Sequence, residues 1–280
     1  ALEKDSIVNC DETWCKVRKY DHYKKCYMWV LVNKAERLVI FFYEDGSRGR
    51  DVLTNFLGDA ELKALMSDGY NAYVFIGDEL KTHRYKDTDH QVYLAHVRAK
   101  FVKARMEGGD KRADVFLGNI NRLFRFEREY DREMITDGER TRRRQGLPTM
   151  EAMINLRANL LQELKSEEEQ KSCYMREALN YLHKFWNEAF TYIKDGRYPI
   201  SNNLAERAVR PFTTKRKNSL HFGSDEGAEI AAVYHSIIST VKLQGRSAWD
   251  YLGKFFTGIF NGCRDFLSLT PQNIDLAVCQ

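Results

Sequence analysis

The sequence predicts a mixed α/β fold, an α+β arrangement around a mixed sheet, and three observations carry that prediction. Three strand-like runs follow one another near the start. Further short strands then alternate with helical segments. From about residue 96 the period changes, and helix alone continues to about residue 194 before two more helices close the chain.

Ile7 to Val17 reads as the first strand, because Ile7, Val8, Thr13, Trp14 and Val17 are strand formers. Tyr23 to Val32 is the second and Leu38 to Tyr43 the third, joined by a short polar turn at Asn33-Lys34-Ala35-Glu36. Arg48 to Leu57 is helical, with Val52, Leu53, Phe56 and Leu57 on one stripe. Ala64-Leu65-Met66 is a buried strand running into Ser67-Asp68-Gly69; a short helical segment and a strand at Gln91 to Ala95 follow. The helical block contains Ala113 to Tyr130, Thr149 to Lys165 and Ser172 to Ile193, each with apolar residues three and four apart. Glu226 to Leu243 and Ser247 to Phe260 are the closing helices.

Composition bounds the function. With 280 residues, 43% hydrophobic, the chain can build a large core, and its 30% charged residues are spread rather than blocked. No apolar run approaches a membrane span, and the charged start lacks the core of a signal peptide, so a soluble, cytoplasmic protein is expected. The six cysteines include no Cys-x-x-Cys pair, which points to reduced thiols rather than a zinc site or a disulfide framework. Net charge is only +4, but basic residues cluster at Arg98 to Arg105, Arg140 to Arg144 and Lys215-Arg216-Lys217. Such clusters suit a phosphate backbone, or equally a solvated helix face.

Three acids stand out. Asp11 lies mid-strand, where a carboxylate is costly unless it meets a metal or a partner. Asp68 ends a strand, where the backbone leaves the sheet and sites form. Glu206 follows Asn203 by three residues, so it reads as a capping-box partner or as a first-turn glutamate aimed into a site beside Arg207 and Arg210. Adjacent carboxylates repel, and Mg²⁺ or Mn²⁺ relieves that repulsion.

The run Asp195-Gly196-Arg197-Tyr198-Pro199-Ile200-Ser201-Asn202-Asn203-Leu204-Ala205-Glu206-Arg207-Ala208-Val209-Arg210-Pro211 closely resembles the signature of the insertion sequence sixty-six family of bacterial transposases. So do Lys215-Arg216-Lys217-Asn218, Phe222 to Glu229, Asp11-Glu12-Thr13, Ser67-Asp68-Gly69-Tyr70 and Ala95 to Phe101, in order over nearly the whole chain. The sequence departs from the family where Ser201 replaces an aspartate, and where Tyr93 and Leu94 replace cysteine and tryptophan.

The resemblance implies a DDE transposase with an RNase H-like fold and a large all-helical insertion. Its expected parts are a first core segment at 1–96, the insertion at 97–196, and a second core segment with terminal helices at 197–280. It implies that Asp11, Asp68 and Glu206 hold two Mg²⁺ or Mn²⁺ ions for DNA cleavage and strand transfer. DNA contacts are expected from His96, Arg98, Lys100, Asn203, Arg207, Arg210, Lys215, Arg216, Lys217 and Asn218. Expected partners are transposon ends, target DNA and further copies of the chain, at the bacterial nucleoid. The family's amino-terminal DNA-binding and cysteine-rich parts would precede Ala1, so the chain is expected to be a fragment. A structure-selective nuclease on the same fold and a non-catalytic DNA-binding derivative are the competing readings.

Overall fold

A computed structural model describes residues 5–166, 171–201 and 203–275, apart from the side chains of 215–219. The chain forms two compact units. One comprises Ala1–Leu65, Asp78–Thr88 and Asn203–Gln280; the other comprises Met66–Gly77 and Asp89–Asn202.

The first unit begins with β1 (Ser6–Arg18), β2 (Tyr23–Asn33) and β3 (Leu38–Glu44). These pair as an antiparallel meander, with Asp11 opposite Val30 and Val30 opposite Phe41. Then come α1 (Arg50–Leu57) and β4 (Leu62–Ser67). After a single 3-10 turn at Asn71–Tyr73 the chain reaches β5 (Asp89–Val92), and the strand order of the sheet is β3-β2-β1-β4-β5. The strand expected at Gln91 to Ala95 therefore starts two residues earlier and ends three residues earlier. Helix starts already at Leu94, after Tyr93 leaves the sheet in an extended conformation.

Residues directly opposite one another in antiparallel strands share a face of the sheet. The register thus puts Cys15, Val17, Cys26, Met28, Val30, Val32, Val39 and Phe41 on one face, where they form a buried core with Ala205, Val209 and Phe212. These last three come from α8 (Asn203–Ser219). On the opposite face Trp29 stacks on Phe42 (5.9 Å between centroids) and Phe42 on Phe56 of α1 (3.9 Å).

The second unit holds α2 (Leu94–Met106), α3 (Ala113–Arg132), α4 (Asp137–Arg144), α5 (Leu147–Lys165), α6 (Cys173–Lys184) and α7 (Trp186–Ala189). The single helix expected over Ser172 to Ile193 is three pieces, α6, α7 and a 3-10 turn at Thr191–Lys194, broken where Phe185 and Phe190 leave helical geometry. Both rings are buried, and burying them wins over continuing a regular ladder.

Back in the first unit, α9 (Asp225–Leu243) lies over β3, where Ser236 and Thr240 hydroxyls accept hydrogen bonds from Phe41 and Val39 N–H groups. The final helix is α10 (Ala248–Phe260). No helix among the described residues is long and apolar enough to cross a membrane.

Candidate metal and DNA site

Asp11 and Glu12 are neighbours with opposite fates. Strand alternation sends Asp11 to the face shared with Val30 and covered by α8, and its Oδ1 accepts the Glu12 N–H at 2.9 Å. Glu12 goes to the other face, where its buried carboxylate receives the Arg48 guanidinium, with Nε at 2.6 Å. A carboxylate so neutralised has lost its call on a metal ion.

Glu206 stands in the first turn of α8. It follows the fully buried Ala205, so it lies about 100° round the helix from the core-facing line and is exposed at the flank. Asn203 is the first residue of α8, and the position before it, 202, lies outside the described residues. Arg207 and Arg210 are exposed and have no ion pair among the described residues. Pro211 sits inside the helix and has no N–H to donate to the Arg207 carbonyl. The side chains of Lys215, Arg216, Lys217 and Asn218 lie outside the described residues.

Asp68 belongs to the second unit and directly follows β4. Its Oδ1 accepts the Tyr70 N–H at 2.9 Å, an Asx turn that fixes the side chain. Oδ2 has no hydrogen bond from the described residues. Gly69 adopts φ +80°, and a Cβ there would meet the Tyr181 hydroxyl at 2.6 Å, so only glycine fits. That hydroxyl, from α6, donates to the Asp68 carbonyl. Lys184, one turn on, reaches Asn71 Oδ1 at 2.9 Å. The helical segment therefore clamps the turn that carries Asp68. No sequence signal exposed this clamp, since Tyr181 is one aromatic among many in a helical pattern.

The expected DNA contacts on α2 have partners within their own unit. Arg98 Nε donates to Asn121 at 2.7 Å; Lys100 binds Glu177 at 2.5 Å and lies 4.8 Å from the Tyr181 ring centroid. His96 is half-buried beside Tyr93, with ring centroids 6.1 Å apart.

A second cluster was not foreseen. Ligand atoms of Cys26, Asp45 and Asp225 lie within 4.8 Å of one another. A cation is already present among them: Lys19 Nζ is 3.0 Å from Asp45 and 2.6 Å from Asp225. Its ammonium holds the Asp45 carboxyl down at about 2. Burial pushes the Cys26 thiol up, away from the thiolate that a soft metal needs. Tyr43 also donates to Asp225 at 2.5 Å, so the cluster ties the start of α9 to the strands.

The donor sets separate the two places. Asp11, Asp68 and Glu206 offer only hard carboxylate oxygens, the set that suits Mg²⁺ or Mn²⁺. Comparison with known families decides the wider question, since the model of the transposase IS66 family matches residues 1–230. The chain belongs to that family. Two uncharacterized proteins of Sinorhizobium fredii (strain NBRC 101917 / NGR234) are similar to it. Protein y4jD is 29% identical over 85% of this chain and 47% of its own length; y4qI is 27% identical over 84% and 43%. The chain spans about half the length of these curated relatives.

Proposed function

We propose that this chain is the catalytic domain of a DNA transposase with an RNase H-like core, cutting and joining DNA at Asp11, Asp68 and Glu206. The observation that carries the proposal is the shared sheet face: Asp11 is on the side that α8 covers, and α8 carries Glu206. Asp68 is the third proposed ligand; its Oδ1 accepts the Tyr70 N–H, and its Oδ2 has no hydrogen bond from the described residues.

Asp11, Asp68 and Glu206 would hold Mg²⁺ or Mn²⁺, which would supply activation of a water or a DNA 3′-hydroxyl and neutralise charge on the leaving oxygen. The protein's own work is placement. Asp11 is carried on a strand with neighbours on both sides, Asp68 on a turn clamped by Tyr181, and Glu206 on a helix anchored by Ala205, Val209 and Phe212. Rigid placement matters because a small error in ligand geometry costs much of the rate. Arg207 and Arg210 present cations on the same helix for the DNA backbone, which orients the strand without reading its sequence. Residues 97–196 act as the helical insertion, and the working enzyme is an oligomer on DNA at the nucleoid.

The test uses the full-length protein and its cognate DNA ends. Asp11→Asn, Asp68→Asn and Glu206→Gln should each reduce cleavage and strand transfer to background while DNA binding persists. Strand transfer surviving in any one of them overturns the assignment of that residue. Cleavage without joining in the unaltered protein would point instead to a nuclease.

A further inference from the structure

Strand alternation gives the β1–β2 hairpin a second face, turned away from α8. On it Trp14 lies directly opposite Tyr27, Lys16 opposite Lys25, and Arg18 opposite Tyr23. Helix α1 lies over this face at Phe42, which stacks on Trp29, but the pairs beyond Trp29 reach the surface. Trp14 is 38% and Tyr23 53% exposed, and Lys16, Arg18 and Lys25 are exposed as well. Of the acids on β1, β2 and β3, only Glu12 and Glu44 share the face. Glu12 is already paired with Arg48, and Glu44 sits opposite Tyr27. Lys16, Arg18 and Lys25 have no ion pair among the described residues. Lys25 Nζ lies instead 5.7 Å from the Tyr27 ring centroid.

The pairing of Lys16 with Lys25 is a cost to the free fold. On the edge of β1 away from β2, Phe222 donates its N–H to the Lys16 carbonyl and accepts the Arg18 N–H, both at 2.8 Å. Lys16 and Arg18 thus turn their backbone groups away from β2, and each forms a non-hydrogen-bonded pair, with Cα atoms about 4.5 Å apart. Side chains stand closest in such pairs, and like charges directly opposite are destabilising. A bound polyanion relieves that repulsion.

We infer that this face binds single-stranded DNA, with phosphates against Lys16, Arg18 and Lys25 and bases stacked on Trp14 and Tyr23. Charge complementarity selects a polyanion, and the rings select among polyanions. An open sheet face that mixes aromatic and basic side chains suits bases that are unpaired. In a duplex the bases already stack on one another and offer these rings no free face. His221, 4.6 Å from the Tyr23 ring, extends the row of rings beyond the hairpin. From Trp14 to Arg18 the strand runs about 14 Å, room for a few nucleotides, so binding is weak and steeply salt-dependent. Asp11 is on the opposite face of the sheet, so this surface is separate from the proposed metal site. The choice of DNA as the polyanion rests on the proposed function, but binding here does not require the three acids to be catalytic.

Fluorescence anisotropy of a labelled oligo(dT) of about 12 nucleotides, in EDTA so that no cleavage occurs, should show saturable binding to the 280-residue chain. Lys16→Gln and Lys25→Gln should each lower the slope of log affinity against log salt by about 0.7. The thermal midpoint of the free protein should stay level or rise in both, because the repulsion is gone. Trp14→Leu and Tyr23→Leu keep apolar bulk on the strands. Each should weaken oligo(dT) binding about fivefold or more and leave duplex affinity unchanged, with circular dichroism checking the fold. Absence of oligo(dT) binding, or an unchanged slope in both lysine variants, overturns the face as a DNA site. Equal losses on duplex and oligo(dT) in the ring variants overturn its choice of single strands, and tighter binding of oligo(U) than oligo(dT) overturns DNA. Failure of the catalytic reading shows elsewhere, as strand transfer surviving in Asp68→Asn, and moves none of these quantities.

Discussion

Helices α4 and α8 both carry arginines close together in sequence, yet the fold uses the two sets differently. In α4, Arg140 meets Glu127 at 2.9 Å and Asp131 at 2.6 Å, and Arg143 meets Glu133 and Glu139. Arg144 is 2% exposed, grips Glu127 through two nitrogens at 2.8 and 2.7 Å, and also donates to the carbonyls of Tyr192 and Asp195. In α8, Arg207 and Arg210 are exposed and have no ion pair among the described residues. The difference lies in the acids that fold onto each helix. Helix α3 lays Glu127 and Asp131, one turn apart, against α4, and α4 supplies Glu139 from its own first turn. A basic run is therefore a candidate for phosphate only after the carboxylates of its own fold have been counted against it.

The largest effect expected from this contrast is on stability. Arg144→Met leaves Glu127 buried with one of its two arginine partners gone and two carbonyls without their donor. Breaking a buried pair from one side costs about 3–5 kcal/mol, readable as a fall in the denaturant midpoint. DNA affinity of the folded fraction should keep its salt dependence. If Arg144→Met flattens that dependence while stability is unchanged, the assignment of α4 to internal structure is broken.

A second, smaller effect tests whether the helical unit internalises its titratable groups more generally. His90 on β5 is 6% exposed, with Nε2 3.0 Å from Ser67 Oγ, and burial pushes its pKa down to about 4. The unfolded chain takes up this proton near pH 6.5, the folded one only near 4. Between those values the unfolded state binds more protons, so stability is complete above about pH 6.5 and declines toward pH 4. The slope should reach about 1.4 kcal/mol per pH unit. His90→Gln should remove that slope from the stability–pH curve, and Arg144→Met should retain it. A wild-type curve flat from pH 7 to 4 would contradict the buried neutral imidazole.

The same contrast explains what the sequence made legible. The three antiparallel strands and α1 stood out because their apolar residues keep the period of one element throughout. The strand alternation that separates Asp11 from Glu12 was likewise implicit, but only the register with Val30 shows which side α8 covers. The bond from Tyr181 to Asp68 and the pairing of Glu127 with Arg144 were illegible, since each joins residues far apart in the chain. The break at Phe185 was missed because the apolar spacing continues through it. The family motif, by contrast, is local and long, so it was readable where contacts were not.

The smallest effect on stability is expected at α8, and there the informative change is in binding. Arg207→Ala and Arg210→Ala remove exposed side chains with no ion pair among the described residues, so each should alter stability by less than about 0.5 kcal/mol. If each neutralises one phosphate, each should lower the slope of log affinity against log salt by about 0.9 on duplex DNA. Affinity should fall by similar factors on cognate and unrelated sequences, because backbone contacts carry no base information. Fluorescence anisotropy at several salt concentrations reads both quantities. An unchanged slope for both variants would mean that exposure of a cation on α8 is no better a guide to DNA than its clustering was on α4, and the contrast between the two helices would lose its functional meaning.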